Sequence, residues 1–453
     1  FALKTLLNPT ADIALLKNRN ALVKSLVSEV KQHDRFHITL KNIKAREDAY
    51  FAFCTVGTIK GPREALIQQQ FGLKSYSDRW GSYLPFLKKL KSLEKNSLYK
   101  QLAFAYTTSP AAFLVQKKLY STMWPDVLTP NFVKSPYFQG PYIGVILVLH
   151  CFAMRQQEKV LNHMHAQLND IASMIRSMKA LDRMVQNNPE LKNRLQYAND
   201  LHALFDPKSE KTSASMRKLI ALLSTKTFKS DPSFFSLRGR VLAAYAIMEE
   251  IKGEFARALH AIGEIDTYHG VAQLYKEHEN TDLPYTFAEY VENSTKPVLV
   301  LNDMWNPLIN VETSSAHKIV KNSIELGAND AVRNVIITGP NAGGKSTFMK
   351  GVGVNVVLAQ TFGIASARSF TLTPFSVINS YMNIVDDLTR GESLFKAEVR
   401  AAHELYQSIS RLDKSKFSFS VVDEMFSGTS PKEGEAATYS IAKKMGVIDN
   451  SVL

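Results

Sequence analysis

Cysteine is nearly missing from this sequence: Cys54 and Cys151 are the only two in 453 residues, far apart and without paired spacing. That excludes a disulfide scaffold and any thiolate zinc or redox motif, and it fits a reducing compartment. Long apolar runs are missing too. The longest, Tyr142 to Met154, has 13 residues and includes His150, short of the ~20 that a bilayer-spanning helix needs. A buried helix or strand fits it better, with Gly140-Pro141 marking a boundary ahead of it. No internal repeat or low-complexity tract stands out. The chain opens on Phe1 with no basic-then-apolar signal pattern and stops at Asn450-Ser451-Val452-Leu453, which reads as the start of a strand. A fragment, cut at both ends, is expected.

Acidic residues are also scarce, 42 against 55 Lys and Arg for a net charge of +13. The shortage is local. Residues 1–300 hold 40 basic against 27 acidic side chains, and 21 against 9 of these fall within 1–150. Residues 301–453 balance at 15 against 15. A basic front and a neutral back suit a polyanion-facing module joined to a separate working domain, though a merely soluble basic surface has the same composition. The length itself predicts two or three domains with real cores.

The pattern changes along the chain in the same sense. Val160, Leu161, Met164, Leu168, Ile171, Met174, Ile175, Met178, Leu181 and Val185 form an apolar seam at helical spacing, closed by Asn187-Asn188-Pro189. A second seam runs through Val241, Tyr245, Met248, Phe255, Leu259 and Ile262, interrupted by Lys252. From about residue 297, β-branched runs such as Val298 to Leu301, Asn334 to Thr338 and Val421-Val422 alternate with helical stretches at 346–360 and 393–409. Strands alternating with helices predict a parallel α/β sheet. The expected fold class is therefore multidomain, α and α/β: a basic α-helical part over 1–296 and an α/β part over 297–453.

The residues that carry chemistry lie in the second part. Gly339-Pro340-Asn341-Ala342-Gly343-Gly344-Lys345-Ser346 fits G-x-x-x-x-G-K-[ST] between an expected strand and an expected helix. Glycines let backbone N–H groups wrap phosphates at close approach, Lys345 adds positive charge, and the Ser346 hydroxyl suits Mg²⁺. Thr347 continues the loop into the helix. Asp423 and Glu424 end an apolar run 78 positions after Lys345. Asp423 is placed to hold the Mg²⁺ shell, and Glu424 to polarise the water that attacks a γ-phosphate. Gly428-Thr429-Ser430 follows as a polar turn. Together these residues predict ATP and Mg²⁺ as cofactors and hydrolysis as the reaction.

GPNAGGKST and VVDEMFSGTSPKEGEA resemble the ATPase domain of MutS-type mismatch-repair proteins, an ABC-type P-loop fold. Asp386-Asp387-Leu388 with Gly391 to Glu398 is similar to the family's DD-L-x-x-G-x-S-T-F-x-x-E block. The resemblance implies that Ser393 reaches in trans to a neighbour's γ-phosphate, and so implies a homodimer or MutS-like heterodimer with composite sites. Trp305 to Ile309 resembles the R-H-P entry to that domain, and Val320 to Leu326, with Asn322 as a nucleotide-side residue, its V-x-N-D strand. Ile262 to Ala272 and the stretch from Leu6 to Arg19 resemble the family's lever domain.

The resemblance further implies double-stranded DNA, mismatched or branched, as partner, with downstream repair proteins and no membrane. It implies a cytoplasmic location, nucleoid-associated in a bacterium or nuclear in a eukaryote. A paralogue acting on recombination junctions, ribosomes or a membrane, or an inactive nucleotide-binding scaffold, is the alternative. Ala342 stands where the family carries Met, Leu394 where it carries Thr, and Ser366 where it carries Pro. The sequence stops before the family's Thr-His switch and starts within its lever domain, with no recognisable mismatch-reading Phe-x-Glu or DNA clamp. His163, His165, His269, His278, Trp80, Trp124 and Trp305 read as packing or surface residues. The basic stretch Lys88 to Lys95 fits a phosphate contact or a solvated helix face.

Overall fold

The first apolar seam is the buried face of one long helix. In the computed structural model, which describes residues 1–28, 30–55, 136–231, 238–309, 319–328, 332–341, 343–382, 384 and 394–453, this helix spans Pro136–Gln186. Three shorter described helices precede it, α1 (Ala2–Leu6), α2 (Ile13–Ser28) and α3 (Val30–Thr55), making it α4 of the described elements. Trp80, Trp124 and Lys88 to Lys95 lie outside the described residues, as do Ala342, Asp386, Asp387 and Gly391 to Ser393.

By compactness the chain divides into two units, one of residues 37–187 with 198–261, the other of 1–36, 188–197 and 262–453. In the first, α4 buries Met164, Leu168, Ile171, Met174, Ile175, Met178, Leu181 and Val185, each burial stabilising by about 1.5–3 kcal/mol before entropy is counted. The helices α6 (Ala198–Ala203), α7 (Ala214–Leu223) and α8 (Arg238–Ile251) belong to the same unit. Ser213 caps α7 by accepting from Met216 N at 3.0 Å. His165 is a core histidine, its Nε2 paired with Thr227 O at 2.7 Å and its ring edge-on to Phe228, while His163 is exposed.

The second seam is not continuous. Helix α8 ends at Ile251, a 3₁₀ turn occupies Lys252–Glu254, and α9 (Phe255–His278) starts afresh. The break falls on Lys252, the charged interruption of the seam, and on Gly253, the poorest helix former near it. On α9 the buried stripe becomes Phe255, Ala258, Ile262 and Ile265, with Leu259 only half-buried.

The other unit holds α5 (Pro189–Arg194), capped by Asn188 accepting from Leu191 N, and the sheets. A four-stranded sheet has the order β2 (Glu289–Tyr290), β6 (Ser369–Leu372), β3 (Leu299–Met304), β4 (Asn322–Leu326). A three-stranded sheet has the order β7 (Val377–Tyr381), β8 (Ser418–Val422), β9 (Ser451–Val452), and β1 (Thr286–Phe287) pairs with β5 (Ile364–Ala365). The parallel arrangement expected throughout holds for β7, β8 and β9. It fails in the first sheet, where β3 runs antiparallel to both β4 and β6. Parallel pairing needs a crossover, usually helical, and no described helix separates β3 from β4.

A second expectation also fails. Residues 334–338 form no strand; Val335 N donates to Leu453 O at 3.0 Å, and two-residue β9 offers no longer ladder. Val335 and Ile336 are accordingly exposed.

Helix α10 (Lys345–Phe362) lays Val352, Val356 and Ala359 on Leu299, Leu301, Phe370, Leu372 and Phe375. The two-residue period of β8 sends Phe419 and Val421 toward that core. Val422 packs instead in a second core with Tyr381, Ala402 and Leu405, where α11 (Leu394–Ser410) and α12 (Pro431–Gly446) meet.

Candidate nucleotide site

The helix α10 starts at the lysine of the glycine-rich loop. Its cap residue is Gly344, held at φ 86°, a left-handed conformation that a side chain would disfavour, and it makes no side-chain cap bond. The first-turn N–H groups of a helix have no intrahelical acceptor, so the loop presents Lys345, Ser346 and Thr347 amides at the positive end of an 18-residue helix. Gly343 N donates to Pro340 O at 3.1 Å, closing the turn, and a Cβ on Gly343 would sit 2.9 Å from that oxygen. Around Gly344 a Cβ would meet nothing within 4 Å. The loop is thus a glycine-lined cradle in which Gly339, Pro340, Asn341, Gly343 and Gly344 are exposed.

Lys345 folds back onto this loop. Its Nζ donates to Gly339 O at 2.8 Å and Pro340 O at 3.0 Å. These neutral carbonyls are weaker partners for an ammonium than phosphate oxygens are. The donor set, a lysine, a serine hydroxyl and a run of N–H groups, fits a nucleotide triphosphate with Mg²⁺. Ser346 is half-buried beside Lys345.

The two carboxylates lie just past β8. Gly353 of α10 faces Val421 of β8, where a Cβ would stand 3.7 Å from Val421 Cγ2, so the helix that carries the loop packs on the strand that carries the acids. Asp423 N donates to Tyr381 O at 2.8 Å, which extends the β7–β8 ladder by one residue. Asp423 is half-buried and Glu424 exposed. Glu424 has φ 46° and Phe426 φ 58°, two non-glycine residues in left-handed geometry within three positions, a conformation that concentrates at functional sites. Tyr381 is pushed up to about 12 by burial first and by the Glu398 charge second.

Asn322 falls on the edge strand β4, exposed, with its amide donating to Val320 O at 3.3 Å. No described contact joins it to the loop. Ser393 and Ala342 lie outside the described residues.

Several residues that brace the helix carrying the loop have no spacing signal. Buried Asn306 donates to Thr347 O at 2.9 Å. Fully buried Asn355 accepts from Ser366 N at 2.6 Å, and the Ser366 hydroxyl donates to Trp305 O at 2.7 Å. The serine that replaces the family's proline thus has a structural use, since its N–H is a donor that proline lacks. Trp305 is buried, as expected of a packing residue, and its ring stacks on His278 at 5.7 Å. Among the described residues no His, Cys, Asp and Glu cluster could hold a metal by protein ligands alone, and no helix is long and apolar enough to cross a membrane.

A family model described as MutS domain V matches residues 335–452. The DNA mismatch repair protein MSH6 of Arabidopsis thaliana is 23% identical over 227 residues, 50% of this chain and 16% of that protein. The DNA mismatch repair protein MSH3 of Candida glabrata is 30% identical over 151 residues, 33% of this chain and 14% of that protein. The human DNA mismatch repair protein Msh3 is 26% identical over 184 residues, 41% of this chain and 15% of that protein. The chain therefore spans less than a fifth of the length of these relatives.

Proposed function

We propose that this chain, whose residues 335–452 match a family model of MutS domain V, is of the MutS type and binds and hydrolyses ATP to control its grip on duplex DNA in mismatch repair. The observation that carries this reading is the glycine-lined cradle opening α10 together with the acid pair just past the end of β8, the strand on which α10 packs.

Bound ATP with Mg²⁺ supplies a phosphoanhydride whose hydrolysis is favourable and whose γ-phosphate can change the protein's conformation. Lys345 exchanges the carbonyls of Gly339 and Pro340 for phosphate oxygens. Gly339, Pro340, Asn341, Ala342, Gly343 and Gly344 wrap the phosphates with backbone, and the amides of Lys345 to Thr347 complete the wrap. Ser346 and Asp423 would hold Mg²⁺, which would supply positive charge to the β- and γ-phosphates. Glu424 takes the proton of the attacking water, while Asn322 lies on the nucleotide side and Ser393 serves the site of a paired subunit.

The levers are proposed to be the α-helical part over 1–296 and the ATPase domain the part over 297–453. The excess of 21 basic over 9 acidic residues in 1–150 is the polyanion-facing charge. Coupling between ATP and DNA is reciprocal: whatever ATP does to DNA affinity, DNA does to ATP affinity.

Steady-state ATP turnover of the full chain and of Glu424→Gln tests the hydrolytic half. A wild-type rate well above the variant's is expected, and equal, low rates in both would sink it. DNA affinity against salt tests the other half. Log K should fall with log salt at a slope steeper than about −3 if several phosphates are neutralised. Mispaired duplex should bind more tightly than homoduplex at one salt, and a flat salt response or equal affinities would count against the reading.

A further inference from the structure

The turn that carries Glu424 is strained, and one buried carboxylate holds it shut. Left-handed Glu424 and Phe426 flank Met425, and such conformers persist only where the surroundings over-determine them. One end of the turn is fixed by Asp423 N on Tyr381 O. The other end is fixed from α11. Glu398 Oε1 accepts from Ser427 N at 2.8 Å and Ser427 Oγ at 2.9 Å, and Oε2 accepts from Gly428 N at 3.1 Å. Glu398 is 1% exposed. The Tyr381 hydroxyl donates to Glu398 O at 3.5 Å, so both anchors of the turn also touch each other. A Cβ on Gly428 would come 2.9 Å from Leu394 Cγ and 3.0 Å from Phe395 N, which places the turn directly against the first turn of α11.

A buried carboxylate is a costly way to fill space, and it is retained only where its oxygens are used. Among the described residues, every hydrogen bond to its side chain comes from the turn, two of them from backbone N–H groups. We propose that Glu398 is a positioning residue for Glu424: it holds the acid turn in its strained form and ties it to the N-terminal turn of α11. The role rests on the reading of Glu424 as general base. It makes any displacement of the start of α11 a displacement of that base.

Glutamine separates this role from packing. Glu398→Gln keeps the volume and one acceptor, but turns an NH₂ toward Gly428 N–H, donor against donor. Filling space survives that change, whereas the clamp does not. The experiment measures fluorescent ATP-analogue affinity, steady-state kcat and KM, and amide hydrogen exchange in the full chain for wild type, Glu398→Gln and Glu398→Ala.

The expected result is nucleotide affinity within about threefold of wild type and kcat down about 10- to 100-fold, in line with the cost of a catalytic group misplaced by about 1 Å. The Ser427 and Gly428 amides should exchange at least about tenfold faster, with α10 and β8 protected as before. An unchanged kcat in Glu398→Gln would overturn the proposal, as would loss of kcat together with protection throughout the unit. If wild type and Glu424→Gln turn over equally slowly, the ATPase reading fails, and the positioning role fails with it. If they differ while Glu398→Gln matches wild type, only the positioning role fails.

Discussion

Asn306 donates its side-chain amide to the carbonyl of Thr347 at 2.9 Å, joining the segment after β3 to the first turn of α10. Its Oδ1 accepts from Leu308 N at 3.0 Å, so both ends of the amide are in use. Beside it, Trp305 donates to Pro284 O at 3.0 Å and stacks on His278 at the end of α9. The start of the phosphate-loop helix is therefore braced against the chain that leaves α9. Asn306→Ala should cost about 1–2 kcal/mol in urea unfolding and weaken ATP binding. Asn306→Asp keeps the bond from Leu308 N but sets a carboxylate against Thr347 O, close to the phosphate cradle. It should weaken ATP binding further than alanine does, and equal affinities in a nucleotide titration would contradict this orientation.

The two adjacent glycines of the loop should fail differently. Alanine at 343 places a Cβ 2.9 Å from Pro340 O, so the loop must open and the cradle is lost. Alanine at 344 finds open space but must hold φ 86°, at about 1–2 kcal/mol. Gly343→Ala is expected to abolish ATP binding with little change in melting temperature. Gly344→Ala should lower both melting temperature and affinity modestly. Calorimetry and nucleotide titration on the two variants give the comparison.

What was legible in the sequence was local or periodic. GPNAGGKS marked the start of α10 because glycine spacing and helix onset are properties of a short segment, and the helix begins at Lys345. The seam of α4 was legible because a 3.6-residue period survives without knowledge of its partner. The strand leading up to Asp423 was equally plain. Pairings across the sheet were not. Nothing local distinguishes β3 as an antiparallel strand, and residues 334–338 have strand composition without a described ladder partner beyond Leu453. Lys252 was visible as a flaw in a seam, yet only the structure shows that it breaks the helix. Glu398 and Ser427 are 29 residues apart, and no periodicity links a helix residue to a turn at that distance.

Gln360 offers a test of the core beneath the site. Its side chain is fully buried, donates to Phe375 O at 2.8 Å and Thr10 O at 2.9 Å, and accepts from Phe375 N at 2.8 Å. Gln360→Leu keeps the volume and strands three backbone groups. It should destabilise by about 3 kcal/mol, read as a shift of the urea midpoint at constant slope. A loss below about 1 kcal/mol would mean that water replaces the amide.

Glu264 should give the unit of residues 1–36, 188–197 and 262–453 a pH dependence of opposite sign to the usual carboxylate. It is buried on α9 and accepts from Gln196 N and Tyr197 N, each at 2.9 Å. Burial pushes its pKa above the ordinary 4.5, opposed by those two amides and by the Arg19 charge. A raised carboxyl binds its proton more tightly folded than unfolded. Its contribution is therefore most favourable below 4.5 and is lost as pH rises through the folded value. Glu264→Gln removes the titration while keeping one acceptor for the two amides. The unfolding free energy of wild type minus that of Glu264→Gln should fall as pH rises above 4.5, then level off. The subtraction cancels the acid unfolding common to both proteins. A difference that rises over this interval would show the two amide bonds outweighing burial, with the carboxylate held below its ordinary range.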